Sequence, residues 1–118
     1  MTYLLVDDYA AARRLVRDLL EGPDVVIHEA ENGIEAVASF ASHRPDWVVM
    51  DIDMPEMDGL AATREIRRRE PCASVAIVTQ HDSDDMRMAA ADAGAKHFLT
   101  KDRLLDLPDL LHSDLTHP

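Results

Sequence analysis

Short apolar runs alternate with helical stretches along this chain, and that alternation limits its fold more than any other feature. Tyr3 to Val6 reads as a strand that stops at Asp7 and Asp8. Residues 9–21 read as a helix, with Leu15, Val16, Leu19 and Leu20 recurring on one face and Gly22-Pro23 closing it. Val25 to Ile27 is a second strand. Asn32-Gly33 turns into a helix running to about Ala41, with Ile34, Val37, Ala38 and Ala41 expected to face inward. Trp47 to Met50 is wholly apolar, so this third strand is expected to be buried on both faces. Leu60, Thr63, Ile66 and Arg67 mark a helix that runs out before Pro71. Val75 to Val78 is a fourth strand, and residues 84–93 form an Ala- and Met-rich helix stopped by Gly94. Lys96 to Thr100 is a short fifth strand. Pro108 suits a first helical turn, followed by Leu110, Leu111 and Leu115.

Strand–helix repetition of this kind predicts an α/β fold: a parallel sheet with helices on both faces and right-handed crossovers. The 118 residues are expected to form one domain, 1–118, with no linker or repeat and with a core that needs no metal or disulfide staple. A composition of 47% hydrophobic and 30% charged residues is ordinary for a soluble domain. The net charge of −11 opposes direct nucleic-acid binding, while leaving room for a cationic ligand or for local basic patches. The single Cys72 excludes an internal disulfide and fits a reducing compartment. No signal sequence opens the chain and no apolar run approaches ~18 residues, so no membrane partner and a soluble, cytoplasmic location are expected.

Ligands of an open parallel sheet bind outside the carboxyl ends of its strands. Strand one ends in Asp7 and Asp8, strand three in Asp51, strand four in Thr79, and strand five beside Lys101. Three carboxylates, a hydroxyl and an ammonium are thereby expected on one edge. Carboxylates this close repel, and a hard divalent cation relieves the repulsion. Mg²⁺, or Mn²⁺ in its place, takes oxygen ligands. Asp8 and Asp51 would bind directly, Asp7 directly or through water, and Asp53 through its backbone carbonyl. The charges of three Asp, one Mg²⁺ and one Lys then balance. Such a site is prepared for a phosphoryl group held by Lys101 and the Thr79 hydroxyl, and a carboxylate can itself be the nucleophile.

The motifs "VDD" at 6–8, "DIDMPEMDG" at 51–59, "VT" at 78–79 and "GAKHFLTK" at 94–101 resemble the receiver domain of two-component response regulators. The resemblance covers nearly the whole chain. It implies a flavodoxin-like, doubly wound sheet of five parallel strands in the order 2-1-3-4-5, a fold that the general rule for such sheets already takes as an example. It also implies a phosphorylation-activated signalling switch rather than an enzyme. Asp51 would accept phosphoryl from a phosphohistidine on a sensor histidine kinase or histidine phosphotransfer protein, with Mg²⁺ bound, and the domain would assist its own phosphorylation and dephosphorylation. Phe98 matches the aromatic that swings inward when the Thr moves toward the phosphoryl. Helix 4, strand 5 and helix 5 would form the output face, and a phosphorylation-dependent dimer is among the assemblies implied. Asp53 and His81, with Gln80 close by, would flank the approach of the hydrolytic water and tune its rate. Gln80 replaces the usual small residue, and Asp102 follows Lys101 where a cis-proline is common.

Other readings compete at single positions. Asp7-Asp8 alone reads equally as a solvated turn or an N-cap pair. "DID" also suits a haloacid-dehalogenase-type phosphatase, which carries its motif on the first strand of a longer chain. A Ca²⁺ loop from Asp51 fails because Pro55 and Ala62 stand where oxygen ligands are needed. His28, His43, His97, His112 and His117 show no metal spacing and are read as surface. Met86 and Met88 are read as helix packing. Arg13, Arg14 and Arg17, like Arg67 to Arg69, read as solvated faces, the first group also as a docking patch for a kinase-side partner. Beside the switch stand two functional alternatives: a phosphotransferring enzyme acting on a small phosphate ester, and a pseudo-receiver that is never phosphorylated.

Overall fold

The computed structural model describes residues 1–116, with side chains described as far as Ser113. The Leu115 side chain and His117 therefore lie outside the described residues. Five strands, β1 (Thr2–Val6), β2 (Val26–Ala30), β3 (Trp47–Met50), β4 (Val75–Thr79) and β5 (His97–Thr100), alternate with α1 (Ala10–Leu20), α2 (Gly33–His43), α3 (Gly59–Arg69) and α4 (Asp84–Ala93). A 3₁₀ segment, Lys101–Asp106, leads into α5 (Leu107–Thr116). All strand pairs are parallel and the order is β2-β1-β3-β4-β5, as expected from the sequence. β3 and β4 are buried along their whole length, which is why both are apolar up to the closing Thr79 of β4.

Alternation across the pleat divides the core in two. Leu4, Val6, Val48, Met50, Val75 and Ile77 face α2, α3 and α4. Tyr3, Leu5, Trp47, Val49, Ala76 and Val78 face α1 and α5. α2, α3 and α4 start where short polar side chains satisfy free N–H groups. Asn32 accepts from Glu35 N–H at 2.9 Å, Asp58 from Ala61 N–H at 2.8 Å, and Ser83 from Met86 N–H at 3.1 Å. Gly94 ends α4 at φ 102°, a left-handed conformation that a side chain resists.

Several expectations need correcting. On α1, Leu15 is 60% exposed, and Val16 and Leu20 make the buried contact. On α2, Ile34, Ala38 and Ala41 are exposed, and the inner face is Gly33, Ala36, Val37 and Phe40. With apolar residues on most sides of a short helix, periodicity leaves its rotation open. Phe40, the largest apolar group on α2, settles it by taking the core position. Asn32-Gly33 opens α2 as expected, whereas Asp58-Gly59, whose Asp-Gly pair suggests a turn, is the N-terminus of α3. β5 begins at His97 rather than Lys96. Met88 is 65% exposed, whereas Met86 packs against the core. His28 is half-buried and stacks on exposed His43 with ring centroids 3.6 Å apart. His97 is also half-buried, its ring beside Trp47. Arg67 is not merely solvated: its guanidinium donates to the carbonyls of Pro71 and Ala73 and closes the turn between α3 and β4.

Candidate functional site

The site lies where the chain leaves β1 toward β2 on one side and β3 on the other. The reversal of strand order opens a crevice there. The ladder puts Val6 beside Met50, so the residues that follow, Asp7 and Asp51, emerge side by side. Backbone bonds continue past the strand ends. Asp51 N–H donates to Val6 C=O at 2.9 Å and Asp7 N–H to Ala30 C=O at 3.2 Å. Both carboxylates are thus placed by the sheet itself.

One oxygen from each of Asp7, Asp8 and Asp51 lies within 4.8 Å of the others. Asp7 and Asp51 are 8% and 7% exposed, while Asp8 is exposed. Asp7 is neither a solvated turn residue nor an N-cap. Its Oδ1 accepts from Tyr9 N–H at 2.9 Å, and Tyr9 precedes α1 without a side-chain cap. Lys101 Nζ donates to Asp7 Oδ2 at 2.9 Å and lies 3.7 Å from Asp51 Oδ1. Burial alone would lower the Lys101 ammonium, but the hydrogen bond to Asp7 and the charge of Asp51 raise it above its ordinary value. It is therefore a permanent cation at neutral pH.

Asp7, Asp51, Arg13 and Lys101 border a cavity of about 90 Å³ whose remaining lining, including Leu5, Val16, Val49, Val78 and Leu104, is apolar. This apolar lining contributes to the burial of Asp51. Burial, then the neighbouring Asp7 charge, push its carboxyl up to about 6, against the opposing pull of Lys101. An ionised Asp51 is thus costly until a further positive charge arrives, and the three converging oxygens fit a hard divalent cation.

Thr79 ends β4 and is wholly buried, and its hydroxyl accepts from His81 N–H at 3.2 Å. Phe98 is half-buried beside Ile77, two residue pairs back from Thr79 along the ladder and on the same sheet face. His81 Nε2 is hydrogen-bonded to Asp53 Oδ2 across the mouth of the crevice, joining the loops after β4 and β3. Gln80 is exposed at that mouth. The structure therefore brings together Asp7, Asp8, Asp51 and Lys101, with Thr79 at the adjoining strand end and the Asp53–His81 pair at the rim.

Two residues that shape the site escaped the sequence reading. Arg13, expected on a solvated face, is mostly buried. It donates to Asp7 C=O at 2.5 Å and pairs with Glu29 at 2.8 Å, tying the acidic loop to β2. Arg17 also pairs with Glu29, so of the three basic residues on α1 only Arg14 has no described partner. Gly59 is pressed against the backbone of Asp51: a Cβ there would lie 1.9 Å from the Asp51 carbonyl oxygen. The Asp-Gly pair is the only sequence signal of that approach, and it suggests a turn instead.

This geometry agrees with what the chain resembles. The response regulator receiver domain family matches residues 3–112. Chemotaxis protein CheY of Bacillus subtilis is 41% identical over 108 residues, spanning 87% of this chain and 90% of that protein. The response regulator domain of Thermotoga maritima CheB superposes with a TM-score of 0.90 at 26% identity, over 100% of this chain and 98% of that one. A LuxR-family two-component response regulator from Aurantimonas gives 0.90 at 32% identity, over 97% of this chain and 84% of that one. Receiver domains generally bind Mg²⁺, and the acidic triad here has the donor set for it. No described helix is long and apolar enough to cross a membrane. The chain belongs to the response regulator receiver domain family, the phosphoacceptor switches of two-component signalling.

Proposed function

We propose that Asp51 is the phosphoacceptor and that the chain works as a single receiver unit in the cytoplasm, taking phosphoryl from a histidine kinase or a histidine phosphotransfer protein. The convergence of Asp7, Asp8 and Asp51 under the Lys101 ammonium carries this reading. An Asp51 oxygen attacks phosphorus as the bond to the donor nitrogen breaks in line. Asp8 and Asp51, with Asp7 directly or through water and the Asp53 carbonyl, would hold Mg²⁺, which would supply positive charge toward the phosphoryl oxygens. Lys101 holds one of those oxygens, and the Thr79 hydroxyl, once it turns toward the site, donates to another. With Asp51 at about 6, most molecules present the ionised nucleophile at neutral pH even before the metal binds. The rearrangement of Thr79 and Phe98 then biases a pre-existing equilibrium of the α4–β5–α5 face. The complete set of acceptor, acids, Thr and Lys supports a phosphorylated switch over a pseudo-receiver.

Incubation with Mg²⁺ and acetyl phosphate is expected to add one phosphoryl to the intact mass, and chelation is expected to prevent it. A chain that gains none under any Mg²⁺ concentration would favour the pseudo-receiver. Replacing Asp8 with Ala removes an exposed ligand with little effect on folding. Calorimetry is expected to show Mg²⁺ affinity at least tenfold weaker, about 1.4 kcal/mol. Unchanged affinity would misplace the metal.

Asp53 and His81 border the approach of water to the acyl phosphate. Separating them by Asp53→Ala or His81→Ala is expected to change the decay of the phosphorylated form several-fold, about 1 kcal/mol in barrier. Equal lifetimes in both variants and the wild type would remove these side chains from the path of the water.

A further inference from the structure

One guanidinium touches both halves of the proposed switch. Arg87, on the first turns of α4, lies with its Cζ 4.7 Å from the centre of the Phe98 ring. The same group donates through Nε and Nη2 to Asp82 Oδ1 at 3.2 and 2.9 Å. Asp82 belongs to the loop after β4, one residue beyond His81, whose N–H holds the Thr79 hydroxyl. The loop that follows the Thr and the aromatic on β5 are therefore joined outside the sheet by a single side chain.

We infer that Arg87 is a positioning residue that braces Phe98 and the Thr79–Asp82 loop in the arrangement seen here and so sets how much phosphoryl-site occupancy the switch requires. The inference rests on the switch reading of Thr79 and Phe98 above. A planar guanidinium can stack on a ring face while its edge donates to a carboxylate, which a Lys ammonium does less well. Phe98 is half-buried under it. Turning the ring inward strips the guanidinium of its aromatic partner, and moving the loop strips it of Asp82. Either motion loses contacts that exist only in the present arrangement, so the brace opposes both. Arg87 and Asp82 are 46% and 64% exposed, so the bias is modest, roughly two- to fivefold in equilibrium.

The chain has two phenylalanines, Phe98 and the buried Phe40, so fluorophenylalanine labelling gives a switch signal and an internal reference. Beryllofluoride with Mg²⁺ is titrated into wild type, Arg87→Gln and Asp82→Asn while ¹⁹F NMR follows both rings and the bound fluorides. Both substitutions are expected to lower the concentration at which the Phe98 signal is half-shifted by roughly two- to fivefold. Both are also expected to displace that signal toward its shifted position before any beryllofluoride is added. Simple charge effects cannot mimic this, because one substitution removes a positive charge and the other a negative one. Midpoints that move in opposite directions, or not at all, would overturn the brace while leaving the switch intact. A wild-type Phe98 signal unmoved when bound fluorides show a loaded site would overturn the switch reading, and the brace with it.

Discussion

Asp51→Asn is expected to abolish phosphoryl uptake from acetyl phosphate and at the same time to make the metal-free domain more stable at neutral pH. The first effect follows from losing the proposed nucleophile, which ends β3 beside Asp7, Asp8 and Lys101. The second follows from the burial of its charge. The folded chain holds the Asp51 proton up to about pH 6, whereas an unperturbed carboxyl loses it near 3.8. Between those values the folded state binds more protons than the unfolded state, so stability falls as pH rises through that window. Above about pH 6 the loss is complete, and below about pH 4 it is absent. Asparagine carries no charge to desolvate. The expected gain at pH 7 is about 1–3 kcal/mol, shrinking toward zero at pH 4. Urea denaturation of both proteins at the two pH values in chelator checks this. Added Mg²⁺ is expected to stabilise the wild type far more than the variant. Equal midpoints at pH 7 without metal would show that Asp51 is not strained, and phosphoryl gain by the variant would move the acceptor elsewhere.

The other large effect belongs to Gly59→Ala. Alanine favours a helix over glycine by about 1 kcal/mol, so on an open α3 the change would stabilise. Here the added Cβ would sit 1.9 Å from the Asp51 carbonyl oxygen and 2.9 Å from Ile52 Cα. Those are backbone atoms at the end of a buried strand and cannot turn aside as a side chain would. The Gly59 N–H also donates to Ile52 C=O at 2.9 Å, fixing the first turn of α3 against the loop. Relief therefore requires α3 or Asp51 to shift. A net loss of about 1–3 kcal/mol is expected, with slower phosphoryl uptake in the molecules that still fold. Gly22→Ala is the control, since its Cβ would meet only Val25 Cγ2, at 4.0 Å. If Gly59→Ala denatures like that control and takes up phosphoryl at the wild-type rate, the backbone approach is not tight in solution.

The order of elements and the acids at the strand ends were determined by the sequence alone, because both are local. An apolar run stops where its first charged residue stands, and in a parallel sheet every such stop falls on the same edge. Asp7, Asp8, Asp51, Thr79 and Lys101 thus share an edge once the alternation is recognised, and their motifs resemble a receiver before any coordinate is known. Only the tertiary structure decided which helix faces turned inward. α2 offered apolar residues in several directions, and the space beside β1 and β2 admitted Ala36, Val37 and Phe40 rather than Ile34. Only the tertiary structure likewise revealed that Gly59 is pressed on Asp51, that Arg13 ties the acidic loop to Glu29, and that Arg87 joins Asp82 to Phe98. Each of these depends on the distance between segments that meet only through packing, and no period in the chain encodes that distance. The elevated Asp51 has the same origin: the carboxylate is written in the sequence, but its cost comes from the apolar lining and the neighbouring Asp7 that folding brings beside it.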